Sequence, residues 1–223
     1  MKRIVALVIR IALLLLSWFF WMWARNTRPS SVVTLFIAVG CPLLVFPLVW
    51  LGRKILDRHP TATGAVWITT FVQFGVGSLL GAAVIRAIST RGDWSDRILR
   101  VPTGIGLLLA MITGAALFLT VVNLALRGFG APFFIVLSRK LAADWLYSWT
   151  RNPMVLAVLA CLVSVGIWFQ SVLFVLWALI PVAPALLVFV KVYEERELEF
   201  RFGASYLEYK SRTPMLFPAR PRV

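Results

Sequence analysis

With 223 residues, 61% of them hydrophobic, and a mean hydropathy of +0.88, the chain carries more apolar surface than one soluble core of this length buries. This excludes a water-soluble globular domain and makes lipid the solvent. The net charge of +14 does not indicate nucleic acid, because the basic residues sit in short segments between apolar runs, the arrangement of membrane topology.

Six helical spans are predicted, at about 4–24, 31–51, 64–88, 101–126, 154–169 and 171–192. A hydrocarbon core of ~30 Å needs roughly 20 helical residues, and helices are the default because lipid offers no partner to free backbone groups. The fold class is therefore all-α, a polytopic transmembrane helical bundle. Met1 to Arg3 followed by an apolar run imitates a signal peptide. The run continues to Ala24 with Arg10 inside it and no small-residue cleavage site, so it reads as a retained first helix. The first two spans carry no polar constellation and read as scaffold, and Cys41 and Cys161 read as small buried hydrophobes. Residues 1–100 are expected to form an N-terminal scaffold and 101–223 a functional core.

The fifth span is short, at ~24 Å by helical rise, and only Gln170 and Ser171 separate it from the sixth. The two must form a helical hairpin, with Pro181 and Pro184 expected to kink its second arm. If the N-terminus is cytosolic, inside segments hold sixteen Lys and Arg against six outside, which places both termini in the cytosol. The hairpin also brings Arg151 and Glu194 out on one membrane face. There a cationic and aromatic cluster (Arg139, Lys140, Trp145, Tyr147, Trp149, Arg151) meets an acidic one (Glu194, Glu195, Glu197, Glu199). Composition alone allows a structural reading of this meeting, as interfacial Trp, Tyr and Arg anchors facing a solvated helix end with Glu197 and Arg201 paired at i, i+4.

The order of residues says more. WLYSWTRNPM, from Trp145 to Met154, is followed after the hairpin by VYEERELEFRFGASYLEYKSRTPMLFP, from Val192 to Pro218. Together they resemble the isoprenylcysteine carboxyl methyltransferases and phospholipid methyltransferases. In that group a Tyr, three residues, then Arg, His or Asn, and Pro open a membrane hairpin, here Tyr147, Arg151, Asn152 and Pro153. A Glu pair, a Phe-Gly, two tyrosines and a Pro follow, here Glu194, Glu195, Phe202, Gly203, Tyr206, Tyr209 and Pro214. Gly128 to Pro132 is similar to the family's glycine turn, so the resemblance runs over about 127–218. Three positions depart from it: Trp145 for the usual Gly, Val155 for the usual Tyr, and Asn152 for the His of eukaryotic members. Arg58-His59-Pro60 imitates the motif in the wrong loop, and His59 reads as a loop residue.

The resemblance implies methyl transfer from S-adenosyl-L-methionine to a membrane-resident amphiphile, with no metal and no nucleic acid involved. It implies a cofactor site drawn from Arg139, Leu141, Ala142, Tyr147, Asn152, Pro153, Met154, Val155, Glu194 and Glu195, with Glu195 favoured as the polar contact. Carboxylates, cations and aromatics suit the cofactor's ammonium, carboxylate, ribose and adenine. Arg151 either binds substrate or ties loop to tail through a charge-assisted bond to a glutamate. Lys191 either faces an anionic substrate or snorkels from its helix end. Tyr206 and Tyr209 are expected to pack an interfacial tail helix onto the loop, with Gly203 and Pro214 ending helices. A carboxylate acceptor needs no base, an amine must first lose a proton, and no base is identifiable. Prenylcysteine, phospholipid amine and isoprenoid acceptors stay open, as do an NADPH-dependent sterol-type reductase and a non-catalytic membrane protein.

Overall fold

The computed structural model describes residues 2–28, 30–58, 62–90, 99–128, 141 and 143–220. The helices are α1 (Lys2–Asn26), α2 (Ser31–Arg58), α3 (Ala62–Ser89), α4 (Thr103–Gly128), the single turn α5 (Leu146–Trp149), α6 (Pro153–Trp168), α7 (Val172–Phe202) and α8 (Ala204–Arg212). By length and composition α1, α2, α3, α4 and α7 can cross a membrane, while α6 is the short arm expected from sequence. Their outward residues include Leu16, Phe19, Met111 and Phe118, all well exposed, which only a lipid solvent tolerates in such number. The chain is an all-α integral membrane protein.

Local chemistry explains the boundaries. Ser30 and Ser171 are helix caps, their hydroxyls accepting from the amides of Val33 (3.1 Å) and Phe174 (3.0 Å). Pro153 opens α6, where a missing N–H costs nothing. Gly203 ends α7 at φ +53°, ψ −128°, a conformation open to glycine. Pro181 lies in a widened π turn, Ala178–Val182, within α7. A second π turn, Phe189–Glu194, immediately precedes Glu195.

Two clamps set the helices. At one end of the bundle Arg86, 1% exposed, donates to the carbonyls of Ala24 (3.2 Å), Thr27 (2.7 Å) and Arg28 (3.1 Å) and to the Thr34 hydroxyl (2.9 Å). It thereby satisfies the free carbonyls where α1 ends. At the other end α7 is held by the Tyr193 and Thr69 hydroxyls (3.0 Å), by Arg53 on the Val192 carbonyl (2.8 Å), and by Arg196 on Asp57 (3.1 Å). Between them the indole of Trp177 donates to the Ala38 carbonyl (2.7 Å), in the π turn Phe36–Gly40 of α2.

The α6–α7 hairpin turns at Gln170, whose amide donates to the Val101 carbonyl (3.1 Å) and Thr103 hydroxyl (3.3 Å) at the start of α4. Gly106 lies so close to the Trp168 backbone that a Cβ there would come within 2.6 Å of its Cα. Helices α4 and α6 are thus antiparallel neighbours in close backbone contact, the usual result of a small residue at a membrane helix interface.

Candidate functional site

The hairpin returns the start of α6 and the end of α7 to one face, and the tail after α8 zips them together. The Arg151 amide donates to the Pro214 carbonyl (2.9 Å), and the Asn152 side chain to the Met215 carbonyl (2.8 Å). The Thr150 hydroxyl donates to that same Met215 carbonyl (3.2 Å), and the Ala219 amide to the Trp149 carbonyl (3.0 Å). The tail can do this because Thr213, preceding Pro214, is held extended at φ −114°, ψ 127° and stops α8.

Glu195 is the centre of this arrangement. It is 7% exposed, with one oxygen 2.9 Å from Arg151 Nη1 and the other 2.8 Å from Lys210 Nζ. Lys210 also reaches Glu199 at 3.0 Å, and the Tyr206 hydroxyl faces the Arg151 guanidinium. A buried carboxylate costs several kcal/mol unless paired, and two cations offset that cost here. The pairing is nonetheless incomplete: Arg151 Nε and Nη1 and Glu195 Oε1 are buried without a directed hydrogen bond, so Arg151 and Glu195 attract each other off axis. The neighbouring Glu197 is buried against Arg201 at 2.7 Å, the i, i+4 pair expected from sequence.

Helix α8 covers the loop. Tyr209 donates its hydroxyl to the Tyr147 carbonyl (2.7 Å) and Tyr206 is buried beneath the helix. Burial raises the Tyr147 phenol above its ordinary range, and the charge of Glu194 adds to this, which places Glu194 beside Tyr147. Burial likewise raises Tyr206, with Glu195 next in effect. All three phenols at this face, with Tyr209, stay neutral well into alkaline solution.

Of the residues expected at the site, Tyr147, Arg151, Asn152, Glu194 and Glu195 come together as described. Pro153 and Val155 are buried and Met154 half-buried at the start of α6. Leu141 is half-buried. Arg139 and Ala142 lie outside the described residues, as does His59. Lys191 is exposed on α7 with no ion pair among the described residues. Lys210 was not expected; the one hint was its place beside Tyr209 on a tail helix.

Trp145 keeps a glycine's backbone. It stands at φ +57°, ψ −119°, with the Tyr147 amide donating back to the Asp144 carbonyl (3.1 Å). These are the angles of the first central residue of a type II′ turn, normally glycine. The departure from the family pattern therefore leaves the turn intact and places strain in it. Trp145, Leu146, Ser148 and Trp149, together with Leu119 of α4, line an open groove of about 550 Å³.

No curated protein and no solved structure matches the chain. A family model described as phospholipid methyltransferase matches residues 101–205. The match reaches back through α4, which the sequence resemblance did not, and stops before the tail tyrosines. Residues 101–205, the stretch that contains α4, the α6–α7 hairpin and the Arg151–Glu195 pair, are thus similar to the phospholipid methyltransferases, a family of membrane methyltransferases.

Proposed function

We propose that the protein transfers a methyl group from S-adenosyl-L-methionine to an amphiphile that reaches the site from the bilayer, with the site and both termini on the cytosolic side. The observation that carries this reading is the buried, imperfectly paired Arg151 and Glu195. Arg151 Nη1 and Glu195 Oε1 stand 2.9 Å apart with no directed hydrogen bond between them, and an ammonium and a carboxylate on one carbon, as on the cofactor's methionine end, would complete the hydrogen bonding of such a pair. The cofactor supplies an electrophilic methyl on a sulfonium, so the chain's task is to position reactants and exclude water.

Glu195 and Arg151 would hold the amino-acid end, while Tyr147, Asn152, Pro153, Met154 and Val155 line the adjoining wall. Helix α8, fastened through Tyr209 and Lys210, excludes water from above. The acceptor classes that fit are a prenylcysteine-like carboxylate, a phospholipid amine or an isoprenoid lipid.

The test is calorimetry of detergent-purified protein with S-adenosylhomocysteine, comparing wild type with Glu195→Ala. Saturable binding by the wild type that the substitution abolishes is the expected result. A folded wild type that binds NADPH and not S-adenosylhomocysteine would overturn the reading in favour of a reductase.

A further inference from the structure

Charged side chains of alternating sign run without a break from α2 to the buried carboxylate. Arg53 and Asp57, one turn apart near the end of α2, are paired at 2.6 Å, and the other Asp57 oxygen takes Arg196 of α7 at 3.1 Å. Arg196 also meets Glu199 (3.3 Å), Glu199 meets Lys210 of α8 (3.0 Å), Lys210 meets Glu195 (2.8 Å) and Glu195 meets Arg151 (2.9 Å). The outer end of this path is wet and the inner end dry, with side-chain exposure of 38% at Asp57 and 9% at Glu195. A charge displaced at the outer end is therefore felt most strongly at the inner one, where the dielectric is lowest.

Two shared cations make the path more than a row of separate pairs. Arg196 gives its Nε to Asp57 and its Nη1 to Glu199, and Lys210 divides one ammonium between Glu199 and Glu195. Without the Asp57 charge, Arg196 turns wholly to Glu199, and Lys210 is left to lean on Glu195. Without the Arg196 charge, Glu199 draws Lys210 to itself and Glu195 presents more of its charge. Asp57 is a fixed anchor for this exchange, because the Arg53 that holds it also donates from Nη1 to the Val192 carbonyl (2.8 Å), in the π turn before Glu195.

We propose that Asp57, which lies outside the stretch matched by the family model, is a positioning residue for the Glu195 site. Acting through Arg196 and Glu199, it sets how Lys210 divides itself between Glu199 and Glu195. The division of Lys210 stands by itself, while its consequence for a cofactor rests on the methyltransferase reading. On that reading the cofactor's ammonium shares the Glu195 charge with Lys210. Loss of Asp57 then weakens binding and loss of Arg196 strengthens it, whereas a merely structural role would give losses at both.

The experiment uses the full chain in detergent at low salt, as wild type, Asp57→Asn, Asp57→Glu, Arg196→Gln, Glu199→Gln and the double variant Asp57→Asn/Glu199→Gln. Lys210 is titrated by carbon-13 NMR after reductive methylation, its resonance assigned with Lys210→Arg, and S-adenosylhomocysteine affinity is read by calorimetry. The charged groups around Lys210 are Glu195 and Glu199, with Arg151 and Arg196 behind them, while Glu208 and Arg212 on its own helix pair with each other. Asp57→Asn should lower the Lys210 titration by about half a pH unit and Arg196→Gln should raise it by a similar amount. S-adenosylhomocysteine affinity should fall about threefold in the first and rise about threefold in the second, the scale of partly exposed ion pairs. Asp57→Glu should restore both readings, and in the Glu199→Gln background Asp57→Asn should change neither. Shifts of the same sign in Asp57→Asn and Arg196→Gln, an unmoved Lys210, an Asp57 effect that persists without Glu199, or an altered titration with unaltered affinity would each overturn the proposal. A wild type that binds no S-adenosylhomocysteine while Lys210 shifts as expected would sink the methyltransferase reading and leave the coupling of Asp57 to Lys210 standing.

Discussion

Arg151, before the first arm of the hairpin, and Glu195, past its second, stand 2.9 Å apart, and the Glu195 oxygen left over is taken by Lys210 from the tail helix. One buried carboxylate thus joins loop, span and tail. Removing one partner of such a pair strands the other charge, at about 3–5 kcal/mol. Arg151→Met should therefore destabilise the protein more than the double variant Arg151→Met/Glu195→Leu does. Thermal unfolding of the single and double variants measures this, and additive losses would show the pair to be uncoupled.

Lys210 fastens α8. Burial works against its charge, but hydrogen bonds to Glu195 and Glu199 outweigh it, so its ammonium titrates above the ordinary 10.5. A raised basic group contributes stability that is fully present below its unfolded value and is lost as pH rises through the folded one. Protease access at the α7–α8 junction around Gly203 should stay low up to about pH 10.5 and rise only beyond it. Lys210→Met should show the open behaviour already at pH 7, and equal protection in both proteins at pH 7 would contradict the clamp.

Trp145 supplies a test of backbone strain. Residues held in such conformations cost of order 1–3 kcal/mol. Trp145→Gly and Trp145→Ala lose the same indole, but only glycine relieves the turn. The glycine variant should be the more stable of the two by about 1 kcal/mol, read from paired Tm values. The reverse order would mean that the turn is not strained.

Among the described residues Arg86 bonds to carbonyls and a hydroxyl and to no acidic group, and what those acceptors need is its fork of donors. Arg86→Lys cannot reproduce that fork and should lose nearly as much stability as Arg86→Met, on the order of 3 kcal/mol for the carbonyls left unpaired. A lysine variant as stable as wild type would argue against the carbonyl clamp.

Much of this was readable from the order of residues. Six spans, the short fifth arm, the hairpin at Gln170 and the helix ends at Gly203 and Pro214 follow from apolar run length and from residues whose backbone freedom is special. The meeting of Arg151 with the glutamates follows as well, because a hairpin returns its two ends to one membrane face whatever its packing. These are local or one-dimensional properties, and sequence carries them directly.

What tertiary structure decided depends on distance across the bundle. Which glutamate Arg151 meets is set by the π turn Phe189–Glu194, a change of helix phase with no sequence period. Lys210 reaches Glu195 because Gly203 turns α8 back over the loop. The sequence by itself determined that the chain spans a membrane and which residues crowd one face of it; the packing of helices whose neighbours lie far apart in sequence decided which of those side chains touch, and which buried groups were left without a partner.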